Sequence, residues 1–155
     1  ATSTDDYGRI QIMNNSSYQQ SFNGLFSSLL RWDDLSQFWK QLEQGEQNGW
    51  YIYAVGEPPP TTTASADTFN SFIQEIDQLL RREHDEHICG IVYTNHAVTP
   101  TMVKIYDPNN LGLSCGSSET PPLPGWVLSR ELPVDLQPVQ ILPGNRKRWW
   151  RNLFS

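Results

Sequence analysis

Apolar residues recur at helical spacing in some stretches of the chain and alternate or run together in others, and these two patterns predict its elements. Phe22, Leu25, Phe26, Leu29 and Leu30 are spaced for one face of a helix. "RWDD" follows, where Asp33 or Asp34 is placed to accept a free amide of a new first turn. Leu35, Phe38, Trp39 and Leu42 then mark a second helix, ending near Gly45 or Gly49. Ser65 is positioned to cap the clearest helix, which runs to about Arg82. Its apolar stripe is Phe69, Phe72, Ile73, Ile76, Leu79 and Leu80. Asp67 suits its positive end, and Arg81 and Arg82 its negative end.

The strand candidates are "GWYIYAVG" (49–56), "HICGIVY" (87–93), "TMVKIYD" (101–107) and "WVLSREL" (126–132), all rich in aromatic and β-branched residues. "TNHAVTP" turns the chain between the second and third, which predicts a hairpin. The proline-rich "EPPPTTTASA" is a stiff polar connection. "PNNLGLSCGSSETPPLPG" (108–125) is a long irregular loop without apolar period, of a length that usually carries function. Residues 1–20 form a polar N-terminal arm whose one alternating piece, "RIQIM", reads equally as an edge strand or as part of an unordered arm. Prolines 133, 138 and 143 exclude long regular elements near the end of the core.

This order predicts one α+β domain over 21–143. It has two layers: a mostly antiparallel sheet of about four to five strands, with helices packed on one face. The strand–helix–strand run from Trp50 to Tyr93 has the form of a parallel pair with a crossover helix.

Composition narrows the function classes. No apolar run approaches the ~20 residues of a membrane span. "ATSTDDYGRI" has neither the basic nor the apolar region of a signal peptide, and there are two cysteines, so the expectation is a cytoplasmic protein with free thiols. The net charge of −6 is unevenly placed. Residues 141–155 hold four bases and no acid, which leaves 17 acidic against 7 basic residues elsewhere. Such an acidic body repels phosphates and disfavours nucleic acid as a partner.

Two stretches invite chemistry. "RREHDEHICG" places His84, His87 and Cys89 close together, and with the distant Cys115 they would make a nitrogen–sulfur set of the kind zinc takes. Their spacing matches no paired C-x-x-C pattern, and a histidine at a helix end followed by an apolar strand cysteine explains the stretch without metal. In "LGLSCGSS", Cys115 lies between small residues, and Gly112 and Gly116 free the backbone to point amides at an oxyanion. His87 or His96 would serve as base and Asp107 as the orienting acid. "ETPPLPG" follows, so no helix dipole is in place to activate the thiol. The glycines match no phosphate-binding loop, and no cofactor is expected.

The tail over 144–155 is the most distinctive feature. As a helix, "NRKRWWRNLFS" sets Trp149, Trp150, Leu153 and Phe154 opposite Lys147, Arg148 and Arg151. It has three readings: docking on its own acidic body, entering a groove of a partner protein, or lying on an anionic membrane surface. The sequence reading is therefore a small non-enzymatic protein that binds another protein. Its contacts are the 109–125 loop and the tail, through Arg148, Trp149, Trp150, Arg151 and Phe154. The alternative is a thiol- or metal-dependent enzyme centred on Cys115 with His87 and Cys89.

Overall fold

The computed structural model describes residues 16–109 and 123–136. Within these residues eight elements follow in chain order: α1 (Ser17–Phe22), β1 (Ser27–Ser28), α2 (Trp32–Gln44), β2 (Tyr51–Ala54), α3 (Ala66–Glu83), β3 (Val92–Thr94), β4 (Met102–Ile105) and β5 (Trp126–Ser129). The strands make one antiparallel sheet in the order β1-β3-β4-β5-β2. The α+β class and the antiparallel sheet agree with the sequence expectation.

α3 forms where its sequence says it should. The Ser65 hydroxyl accepts the Thr68 amide at 3.2 Å, and all six residues of the expected stripe are buried. Each such large apolar side chain contributes ~1.5–3 kcal/mol when fully buried. α2 presents Leu35, Phe38, Trp39 and Leu42 to the same core and stops at Gly45. Its N-cap is Arg31, and Asp34 accepts the Arg31 N–H from inside the first turn at 3.3 Å. A polar seam joins the two helices at their outer edge. Asp77 accepts from the Trp39 indole and from Arg81, each at 3.0 Å, and Arg81 also donates to Ser36.

The core under α2 and α3 takes Ile52, Ala54, Val92, Val103, Ile105, Trp126 and Leu128 from one face of the sheet. The opposite face has a smaller cluster of Tyr18, Tyr53, Val55, Met102 and Val127, with Phe22, Phe26, Leu123, Val134 and Leu136 packed against it. The sheet is thus covered on both sides, by two long helices on one and by α1 with flanking chain on the other. This explains why β5 is buried at all four positions rather than at alternate ones.

Four sequence expectations are corrected. The helical stripe from Phe22 to Leu30 does not form a helix. α1 begins earlier, capped by Ser16, and closes at Asn23, whose N–H donates to Gln19 and Ser21 carbonyls. The chain then extends into β1, leaving Leu25 93% exposed, while Phe22 and Phe26 turn onto the second face. Residues 17–20, read as part of the polar arm, belong to α1. The Trp50–Tyr93 unit makes no parallel pair, because β4 and β5 lie between β2 and β3. The strand predicted to start at His87 starts at Val92, because Gly90 adopts φ +63° and breaks the alternation. Cys89, Ile91 and Val92 consequently all enter the main core. The "RIQIM" segment lies outside the described residues.

Candidate functional site

The motif around His84 is a helix end. His84 caps α3, donating its backbone N–H to Leu80 O at 2.8 Å, and its ring lies 6.2 Å from that of Trp32. His87 is exposed, whereas Cys89 is 1% exposed inside the main core. Burial pushes the Cys89 thiol above its ordinary range, the reverse of what a nucleophile or metal ligand needs. Among the described residues no three His, Cys, Asp or Glu side chains are grouped to hold a metal ion, so His84, His87 and Cys89 do not make the nitrogen–sulfur set. His96 sits in the β3–β4 connection, its backbone tied to Thr94 Oγ1. Asp107 lies at the far end of the sheet, where it accepts the Asn109 amide in a tight turn at 2.9 Å. Cys115, the segment 110–122 and the tail residues Arg148, Trp149, Trp150, Arg151 and Phe154 lie outside the described residues.

The base of the 109–125 loop is built with care. β4 and β5 are direct partners, with Ile105 opposite Trp126, yet the chain runs through residues 106–125 to join them. A two-residue turn would close such a hairpin. Both stems are fixed where they leave the sheet. Gly125 donates to Ile105 O at 2.9 Å and accepts from Val55 N at 2.9 Å. A Cβ on Gly125 would stand 3.1 Å from the Asp107 Cβ, so the stems touch where only glycine fits without displacement. On the outgoing stem, Asn109 donates its side-chain amide to Glu83 at the end of α3. On the returning stem, Pro124 is buried and Leu123 packs on the second cluster.

The other end of the sheet carries a recess of about 250 Å³ between the end of α2 and the β3–β4 connection. Trp50 enters β2 there and Arg130 leaves β5. Trp50 is 1% exposed, stacked on Phe69 at 5.6 Å, and its indole N–H has no acceptor among the described residues. The Arg130 guanidinium lies 4.2 Å from the centre of the Trp50 ring and donates to the carbonyls of Asn48 and Glu46. Gly49, at φ +93°, makes this approach geometrically feasible, since a Cβ there would come within 2.9 Å of Arg130 Nη1. Burial pushes the guanidinium below its ordinary value, and the Glu46 charge pulls it partly back. Arg31, Arg81 and Arg82 each face a carboxylate, at 3.9, 3.0 and 3.5 Å. Among the described residues Arg130 has no carboxylate at ion-pair distance. The opposite wall is Val98, Thr99, Pro100 and Thr101. Sequence reasoning missed this recess because Trp50 and Arg130 are distant in the chain and neither belongs to a recognisable motif. Comparison of the chain with protein-family models, with curated proteins and with solved structures found no match to any of them.

Proposed function

We propose that this domain is a binding module that works by contacting another protein, with the 109–125 loop and the basic-aromatic tail as its contact elements. The observation that carries the reading is the base of the loop. Directly paired strands are joined by residues 106–125 instead of a tight turn, and both stems are fastened to the sheet, to Val55 and to α3. A rigid scaffold that presents a long polar connection is how folds commonly display recognition loops. The tail supplies the complementary chemistry. Trp149, Trp150 and Phe154 give large apolar contact area, and Arg148 and Arg151 give charge opposite to that of the body. No helix among the described residues is long and apolar enough to cross a membrane.

The test uses the full chain as bait, with two variants. One has residues 110–122 replaced by a short glycine–serine link, the other carries Trp149→Ala and Trp150→Ala. The reading expects one partner, captured by the full chain and confirmed with the purified pair, to be lost in both variants while their melting temperatures stay at the full-length value. A lower melting temperature in the tryptophan variant with capture intact would assign the tail to self-docking. Binding of the full chain to anionic vesicles that weakens steeply with salt, without a protein partner, would favour the membrane surface instead.

A further inference from the structure

We propose that the recess between Trp50, Arg130 and the β3–β4 connection binds a small aliphatic α-amino acid, with the carboxylate on Arg130, the ammonium group on Glu46 and the side chain against Val98 and Pro100. This site stands at the opposite end of the sheet from Asn109 and Gly125, where the described stems of the 109–125 loop leave it, and does not rest on the protein-binding reading.

The argument begins with orientation. A guanidinium is a planar fork that matches a carboxylate best when its plane is fixed beforehand. Arg130 is fixed twice, by the indole of Trp50 at 4.2 Å and by the carbonyls of Asn48 and Glu46. Those carbonyls take two of its five N–H donors, which leaves donors for a ligand. The chain is strongly acidic, and Arg31, Arg81 and Arg82 are all ion-paired, yet the partly buried Arg130 has no carboxylate at ion-pair distance among the described residues, Glu46 acting on it only from farther off.

Charge balance then selects the ligand class. Glu46 lines the same recess and is exposed, with Oε1 accepting the Asn48 amide at 3.2 Å. A simple carboxylate entering here gains Arg130 and meets the repulsion of Glu46. A phosphate, with more charge and only one guanidinium to meet it, fares worse. A zwitterion satisfies both groups at once. The remaining lining sets size and polarity. Val98 is 79% exposed and stands with Pro100 as an apolar wall, while Thr99 and Thr101 place hydroxyl-bearing side chains along the same rim. Gln41 holds this rim to α2, its side-chain amide donating to the carbonyls of Ala97 and Val98 at 2.9 and 2.7 Å. A volume of about 250 Å³ is enough for one amino acid.

The experiment is an amide-shift titration of the full chain by NMR, followed at Gln41, Glu46, Thr99 and Thr101 and at the Trp50 indole. The probes are alanine, valine and leucine, with isovalerate and isobutylamine as valine analogues that each lack one charge. Valine or leucine should saturate these shifts, and each analogue should bind at least about tenfold more weakly, which corresponds to ~1.4 kcal/mol. Two variants separate recognition from structure. Glu46→Gln, at an exposed position, should weaken valine and strengthen isovalerate. Arg130→Lys keeps the charge and loses the fork, so it should weaken valine and isovalerate and leave isobutylamine unchanged. Absence of saturable shifts with all three amino acids overturns the proposal. So does isovalerate binding the unaltered chain as tightly as valine, or a preference between the two that Glu46→Gln leaves unmoved.

Discussion

Lys104 Nζ donates to the carbonyl of Phe22 at 2.7 Å and lies 4.0 Å from the centre of the Phe22 ring. One side chain from the middle of the sheet thus holds the end of α1 through its backbone and its side chain together. Phe26 closes over the same ammonium group, also at 4.0 Å. The cation suits a helix C-terminus and two aromatic faces. Burial nevertheless opposes the charge and pushes the Lys104 pKa down to about 8, from 10.5 for an unburied lysine. Between these values the unfolded chain binds more protons than the folded one, so this group's contribution to stability rises as pH rises from about 8 to 10.5. The difference in unfolding free energy between the unaltered chain and Lys104→Met should therefore grow across that window. A difference that stays flat, or an Nζ titration near 10.5, would contradict the burial of this amine.

Tyr18 sits 1% exposed in the same second cluster, and its hydroxyl has no hydrogen-bond partner among the described residues. Burial, and then the neighbouring Tyr53, push its pKa far above the ordinary phenol value. A buried donor without an acceptor costs ~1–3 kcal/mol. Tyr18→Phe removes the hydroxyl and keeps the ring against Phe22, its stacked neighbour at 6.3 Å. The variant should be more stable by ~1 kcal/mol, read as a rise in the midpoint of urea unfolding at unchanged slope. A loss of stability would mean that the hydroxyl has an acceptor after all.

How much of this was legible in the sequence depended on whether the deciding physics was local. α3 was readable because every signal agreed: the Ser65 cap, the stripe from Phe69 to Leu80 and the arginines at the last turn. The stripe from Phe22 to Leu30 misled because spacing alone cannot say which side chains meet a core. The pair Asn23 and Gly24 ends the helix, and Leu25 and Leu30 stay exposed. The strand boundary at Val92 turned on one positive φ at Gly90, which no hydrophobic pattern records. The recess was invisible for a different reason. Arg130 reaches Trp50 only because β5 pairs with β2, with Ser129 opposite Tyr51, and that register is a property of the whole sheet. Cys89 looked like a candidate ligand in the sequence and proved to be core, since a cysteine buried between helix and sheet behaves as a small apolar residue.

That burial gives a direct chemical test of the His84–Cys89 stretch. The Cys89 thiol is 1% exposed and held above its ordinary pKa, first by desolvation. The reactive species is the thiolate, so iodoacetamide should modify Cys89 slowly in the folded protein even at mildly alkaline pH, and rapidly in denaturant. Peptide mapping distinguishes it from Cys115. Chelator should leave the melting temperature unchanged, because binding and folding energy are linked wherever a structural metal is present. Fast native labelling at Cys89, or a chelator-dependent melt, would return this stretch to the list of functional sites.

Gly49 joins the fold to the recess. Its φ of +93° is a conformation that residues with a Cβ rarely adopt, and a Cβ there would stand 2.9 Å from Arg130 Nη1. Gly49→Ala therefore carries two costs. The backbone strain is ~1–3 kcal/mol and does not depend on Arg130. The second is displacement of a guanidinium that is a movable side-chain end but is also held by Trp50 and by the carbonyls of Glu46 and Asn48. A double-mutant cycle with Arg130→Ala separates the two. In the Arg130→Ala background the alanine at 49 has nothing to displace, so its cost should fall to the backbone strain alone. The coupling between the two sites should then exceed the ~0.3–0.5 kcal/mol scatter of independent substitutions. The Trp50 indole resonance should move in Gly49→Ala as it does in Arg130→Ala, because both take the cation off the ring. Additive effects, with the indole unmoved in Gly49→Ala, would show that Arg130 does not need the open backbone at Gly49 and that its place over Trp50 is set from elsewhere.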